Sequence, residues 1–292
     1  ARSIVLLKES EFRNVTQGEQ TWRYHDAGEG PVVVLFHGFP DTPQSWEDVA
    51  QALVEAGYRT IVPYLRGYHP DTLVPGRPYD ALTLAEDAVG LLDALSVESA
   101  SLVVHDWGAT LVYGAAALAP ERVDAVVTIA VPHPLTLKPK NALQALGLAV
   151  LARHFIYFQM PWAEAGTRRR DFAYIDRIYR RWAPTWQGAD RDESVARVKT
   201  AFSDPAVLNA AIDYYRAMFA KPERSLRDLS PPLDTRALLV AGGNDFGGRL
   251  GPYKKSQSFF TQGAEVLVIP DAGHWPHRES PEMFRDTLLR FL

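Results

Sequence analysis

VVHDWGAT, residues 103–110, is an apolar run that stops at Asp106 and passes through a Trp-Gly step into small, helix-forming residues. A side chain on such a strand-to-helix turn is lifted above the sheet edge at the positive end of a helix, where an anion is favoured. Asp106 therefore reads as a nucleophile held on an elbow, although an aspartate met alone in this position would serve equally as an N-cap.

The flanking sequence supplies the sheet that such an elbow requires. PVVVLFHG (31–38), RTIVPY (59–64), SLVVHD (101–106) and VDAVVTIAVP (123–132) are β-rich runs, and SWEDVAQALVEAG (45–57), TLAEDAVGLLDALS (83–96) and GATLVYGAAALAP (108–120) have helical spacing between them. Strands alternating with crossover helices predict a mostly parallel sheet covered on both faces. RNVTQGEQTWRYHDAG (13–28) reads as an antiparallel hairpin at its edge. The rhythm breaks between 135 and 229, where aromatic and basic helical stretches such as DFAYIDRIYRRW (171–182) replace buried strands. It returns with TRALLVAGG (235–243), AEVLVIPDAG (264–273) and PEMFRDTLLRFL (281–292), in which Phe284, Leu288 and Phe291 share one helix face. The expected organisation is a core of residues 1–134 and 230–292 with a helical cap, 135–229, over the C-terminal strand ends, where open α/β sheets bind ligands.

Composition narrows the chemistry. The 292 residues are 47% hydrophobic and 23% charged, with a formal net charge of −4 and no cysteine. Disulfides, thiolate metal sites and a cysteine nucleophile are excluded, and the charge gives no reason to expect nucleic acid or an anionic membrane as partner. ARSIVLLKES (1–10) is too short an apolar run for a signal peptide or a membrane span. A soluble, cytoplasmic protein is expected; the chain begins without Met, which leaves room for a processed secretory form, and a homodimer is left open.

Two further residues fall where a nucleophile at position 106 needs them. His274 lies in DAGHWPH (271–277), after the last strand, and Asp245 in AGGNDFGG (241–248), after the strand before it. Alone, each is an ordinary loop or turn residue. Together they give the chain order nucleophile, acid, base, each at the C-terminal end of a strand. Asp245, rather than Asp271 or Glu279, is expected to orient His274, because Asp271 stands only three residues away and reads as a turn residue.

HGFPDTPQSW (37–46), LRGYHP (65–70), HDWGA (105–109), TIAVPHP (128–134) and DAGHWPH (271–277) resemble the α/β-hydrolase superfamily and, more narrowly, its epoxide hydrolase branch. The resemblance implies an eight-stranded sheet with a helical cap, and no metal or organic cofactor. It further implies that the H-G-x-P stretch, with His37 and Pro40, lines the site, that the bond before Pro40 is cis, and that the backbone N–H groups of Phe39 and Trp107 receive an oxyanion. It also implies two lid donors. Tyr215 in DYYR (213–216) matches the first, while His154 in RHFIYFQMP stands at the position expected for the second, with Tyr157 as the alternative one turn away. A His/Tyr pair is similar to that of Cif-type epoxide hydrolases, although TIAVPHP has no carboxylate to match their acid.

The nucleophile's chemical type sets the substrate class. A carboxylate is a poor acyl-transfer nucleophile, but it attacks an sp³ carbon bearing a leaving group and forms an alkyl ester. His274 can then activate water against that ester. The expected partners are a small epoxide and water, and the expected product is a vicinal diol. A dehalogenase is the alternative, since VVHDWG is also similar to haloalkane dehalogenases, yet Phe39 supplies no side-chain donor for halide. A non-catalytic receptor of the same fold would be marked by a broken triad, and this triad is complete. Trp46, Trp162 and Trp275 read as packing or pocket wall, and the run RRR (168–170) as a solvated helix surface.

Overall fold

The computed structural model describes residues 7–76, 79–137, 139, 141–220, 231–245 and 250–292. The β-branched runs become strands β1 (Arg13–Gln17), β2 (Gln20–Ala27), β3 (Val32–Phe36), β4 (Arg59–Pro63), β5 (Ala100–His105), β6 (Val123–Ile129), β7 (Arg236–Gly242) and β8 (Ala264–Ile269). They form one eight-stranded sheet in the order β1-β2-β4-β3-β5-β6-β7-β8. From β4 to β8 every neighbouring pair is parallel, and the expected hairpin adds β1 and β2 antiparallel at the edge. Every residue of β5 is buried, consistent with a central parallel strand covered on both faces.

Helices α1 (Glu47–Glu55), α2 (Ala81–Ala94) and α3 (Trp107–Leu118) fill the crossovers. α1 buries Val49, Ala50 and Leu53, the two larger side chains contributing about 1.5–3 kcal/mol each. Gly57, at φ 89°, carries the chain out of it in a conformation that favours glycine. α2 starts at Asp80, whose carboxylate accepts from the N–H groups of Leu82 and Thr83. Between β6 and β7 come α4 (Ala142–Leu151), α5 (Arg153–Gln159), α6 (Ala163–Trp182), α7 (Ala189–Phe202) and α8 (Pro205–Ala217), with no strand among the described residues of that stretch. The expected return to the core at 229/230 lies outside the described residues. α9 (Gly251–Gln257), α10 (Pro276–Glu279) and α11 (Pro281–Phe291) follow, and α11 buries Phe284, Leu288 and Phe291 as its spacing predicts.

Two expectations need correction. α6 is broken inside the Arg-rich run, because Arg170, Asp171 and Phe172 take left-handed φ values of 52°, 51° and 56°. DFAYIDRIYRRW is therefore helical only beyond Phe172, and the exposed arginines 168–170 flank a kink rather than decorating a continuous helix. Trp46 and Trp275 are fully buried, but Trp162 is 58% exposed, so it is not the buried packing residue expected.

Because β3, β5, β7 and β8 run parallel, their C-terminal ends share one edge. That edge brings together residues 37–40, Asp106, Asp245 and His274, which are separated by up to 237 positions in sequence.

Candidate active site

Asp106 joins β5 to α3 with φ 51° and ψ −114°, a conformation that an aspartate adopts only when its surroundings hold it there. Its N–H donates to the Ile129 carbonyl at 3.1 Å, which anchors the elbow to β6. The loop after β3 approaches so closely that a Cβ on Gly38 would collide with the Asp106 side chain. That approach lets the Phe39 N–H donate to Asp106 Oδ1 at 2.8 Å. The Phe39–Pro40 peptide is cis. His37 braces the same loop. Its Nδ1 donates to the Gly38 carbonyl at 3.0 Å and its Nε2 accepts from the Leu65 N–H at 3.1 Å. Burial pulls its pKa down to about 4, so it is a neutral strut and not an acid. Trp107 is the first residue of α3, so its N–H has no acceptor within the helix.

His274 stands between two carboxylates. Its Nδ1 is 2.9 Å from Asp245 Oδ2, and its Nε2 is 3.1 Å from Asp106 Oδ2. Neither Asp271 nor Glu279 hydrogen-bonds this imidazole. Burial alone would favour the neutral ring. The Asp245 charge and the Asp106 hydrogen bond overcome it and raise the His274 pKa to about 10. In turn, burial pushes Asp106 up, but the His274 hydrogen bond and charge, with the Phe39 amide, bring it below the usual carboxylate value. The His274 carbonyl accepts from His105 Nε2 at 2.8 Å, so the residue preceding Asp106 also positions the imidazole.

Residues of the helical segment close over Asp106. The buried Tyr215 ring packs edge-on against Phe39 and Trp107, at 5.1 Å from each, and lies 5.4 Å from the His154 ring. Burial and the Asp106 charge hold the Tyr215 phenol well above its ordinary pKa, against a hydrogen bond with the Trp107 side chain. His154 is also buried, which lowers its pKa to about 3 and leaves it a neutral imidazole. The Trp182 ring sits between the two histidines, 4.7 Å from His154 and 4.8 Å from His274. The neighbouring tyrosines point elsewhere. Tyr214 donates to the Arg66 carbonyl at 2.7 Å, and Tyr157 stacks on Tyr174 with its hydroxyl 3.5 Å from the Ala163 carbonyl. Gln159 carries a role that the sequence did not announce. Its Nε2 donates to the Tyr215 carbonyl at 2.9 Å, while Arg216 Nε donates to the Phe158 carbonyl at 3.2 Å, so α5 and α8 fix each other and the two candidate lid residues.

Among the described residues, Asp41, His105 and His277 are the group with metal-ligand spacing. They are buried behind His274 and largely engaged. Asp41 accepts from the Thr42 N–H and the Trp275 indole, His105 holds the His274 carbonyl, and His277 pairs with Ser45. A cavity of about 790 Å³ opens between α7 and the segments around Glu9, Tyr64 and His69, yet Asp106, Asp245 and His274 do not line it. The triad lies instead beneath Tyr215 and Trp182, whose rings pack against Trp107 and His274. No helix among the described residues is long and apolar enough to cross a membrane.

Comparison with known proteins agrees with this fold. A family model of the alpha/beta hydrolase fold matches residues 31–281. Epoxide hydrolase 3 of Siraitia grosvenorii is 45% identical over 298 residues, spanning 87% of this chain and 89% of its own. The AB hydrolase superfamily protein YfhM of Bacillus subtilis is 29% identical over 269 residues, spanning 90% and 91%. The crystal structure of epoxide hydrolase A from Mycobacterium thermoresistibile superposes with a TM-score of 0.79 at 26% identity, covering 96% of this chain and 97% of the other.

Proposed function

The chain belongs to the α/β-hydrolase fold family, and from that premise we propose that it is an epoxide hydrolase whose nucleophile is Asp106. The observation that carries this reading is the environment of the Asp106 carboxylate. Oδ1 is held by the Phe39 N–H, Oδ2 faces His274, and a buried tyrosine and a buried neutral histidine cover them.

In the first step Oδ2 attacks a ring carbon of the epoxide. The C–O bond breaks, its electron pair stays on the ring oxygen, and Tyr215 and His154 supply hydrogen bonds and a proton to the alkoxide. The ester that forms is neutral. One of the two anions that kept His274 protonated is thereby gone, so its pKa falls, and the proton it releases restores the lid donor that protonated the alkoxide. In the second step the neutral imidazole, oriented by Asp245, takes a proton from water as the water oxygen attacks Cγ of Asp106. The oxyanion develops on Oδ1, where the Phe39 amide already points and the Trp107 amide is open. Collapse releases the diol and restores carboxylate and imidazolium, and the protons balance over the cycle. Helices α4 to α8, within the stretch read as the cap, keep bulk water from the reacting groups.

The relatives named epoxide hydrolases support this substrate class over alkyl halides. Incubation with styrene oxide and chromatography of the diol tests it. Diol formation that disappears with Asp106→Ala supports the reading. Release of halide from alkyl halides, with no diol from any epoxide, would replace it with the dehalogenase alternative.

A further inference from the structure

The backbone around His274 is gripped from an unexpected side. Glu279, on the short helix α10, turns its carboxylate back on the loop before it. Oε2 accepts from the Gly273 N–H at 2.8 Å, and Oε1 accepts from the Trp275 N–H at 3.0 Å. The N–H between them, that of His274, donates to the Trp182 carbonyl at 2.9 Å. Three consecutive backbone donors around the imidazole are thus satisfied, two by one carboxylate and one by the C-terminal end of α6.

Two details make this a fitted arrangement. A Cβ at Gly273 would collide with the Trp182 carbonyl oxygen, so glycine is what allows the loop to reach α6. Thr185, three residues beyond Trp182, places its hydroxyl 2.8 Å from the Asp271 carbonyl and 3.1 Å from Glu279 Oε2, with one hydrogen to share between them. The exit of α6 and the loop of the base are therefore stitched at Trp182 and Thr185. Burial raises the Glu279 pKa, while the Gly273 and Trp275 amides oppose that shift by hydrogen-bonding the charged form.

We infer that Glu279 is a positioning residue for His274, acting with the Trp182 carbonyl and Thr185 to lock the base loop to the end of α6. Glu279 does not touch the reacting atoms. A carboxylate is required because two backbone donors on either side of one residue need two acceptor oxygens on one planar group. Glutamine offers one acceptor and would turn its NH₂ against an N–H. The base is used only in the second chemical step, so a loosened loop should slow ester hydrolysis and spare the attack by Asp106.

This inference rests on the proposed reaction, and its test separates the two. In Glu279→Gln, rapid-quench mixing with styrene oxide followed by intact-protein mass spectrometry should show an unchanged rate of adduct formation. Adduct hydrolysis should be slower by roughly tenfold or more, so the ester becomes the dominant steady-state species. Thr185→Val, which leaves the two backbone bonds of Glu279 intact, should show a smaller effect of the same kind. In parallel, the ring ¹⁵N signals of His274 should shift or broaden in Glu279→Gln relative to the wild-type enzyme, whatever the substrate. Equal slowing of both steps, or a wild-type step ratio with unmoved His274 signals, would overturn the inference. An absence of adduct in the wild-type enzyme would count against the epoxide reading alone, and the nuclear resonance comparison would still decide on Glu279. Should Glu279→Gln fail to fold, Thr185→Val and Glu279→Asp carry the same two readouts. A Glu279→Asp protein with an unchanged step ratio and unmoved signals would overturn it as well, since the shorter side chain cannot span both amides.

Discussion

His274 Nε2 lies 3.1 Å from Oδ2 of Asp106, so the group assigned as base in the second step touches the oxygen assigned to attack in the first. This contact gives the cycle its order. While Asp106 is charged, His274 is held as imidazolium and cannot accept a proton; once Asp106 is esterified, the restraint is lifted.

Titration of the resting enzyme checks that relationship. A raised pKa means that the charged form persists below it, so the His274 ring should remain imidazolium until the pH approaches about 10. Asp106→Asn removes one of the two flanking anions and should lower that midpoint, measured from the ring ¹⁵N shifts. Identical midpoints in both proteins would mean that Asp106 does not govern the base.

The same pKa values predict a flat profile for ring opening. His154, at about 3, and His274, at about 10, both lie outside the range between pH 5 and 8. Asp106 is already ionised throughout it. kcat/KM should therefore vary little across that range. A fall with a midpoint near the usual histidine value of about 6.5 would show that a protonated His154 takes part, which its burial argues against.

Removing the lid donors should act on the first step. Tyr215→Phe and His154→Phe each delete a hydrogen-bond donor to the alkoxide and should slow single-turnover alkylation by roughly tenfold or more. His154→Tyr restores a donor and should retain activity. Unchanged alkylation in both phenylalanine variants would move the alkoxide's partners elsewhere.

His37→Phe should weaken the fold. It leaves the buried N–H of Leu65 without its acceptor and frees the Gly38 carbonyl, a loss of about 1–3 kcal/mol. Thermal denaturation should show a melting temperature lower by a few degrees. An unchanged value would mean that the loop after β3 is held by its other contacts.

Much of this is legible in the sequence. The β-branched runs fixed the strands because parallel strands are buried on both faces, and the chain order then placed Asp106, Asp245 and His274 on one edge. Legibility failed where backbone geometry follows from distant contacts. The kink at Arg170, Asp171 and Phe172 has no glycine or proline to announce it. Glu279 entered only as a rival acid, since nothing in sequence reveals that its carboxylate folds back onto the amides of Gly273 and Trp275. The charge of His154 depends on burial by residues from several helices, which no local pattern displays. Sequence left Tyr157 as the alternative to His154 for the second lid donor, because only the fold reveals that Tyr157 stacks on Tyr174 with its hydroxyl toward Ala163.

The most direct test of the central claim is the mass of a trapped intermediate. His274→Gln removes the base, so Asp106 should still attack but the ester should persist. Offered an epoxide, this variant should gain the mass of the whole epoxide, because ring opening expels no atoms. Peptide mapping should place the adduct on Asp106, and the double variant with Asp106→Ala should show none. An adduct formed only from alkyl halides, lacking the halogen and accompanied by free halide, would contradict the epoxide assignment. An adduct on any residue other than Asp106 would contradict the nucleophile itself.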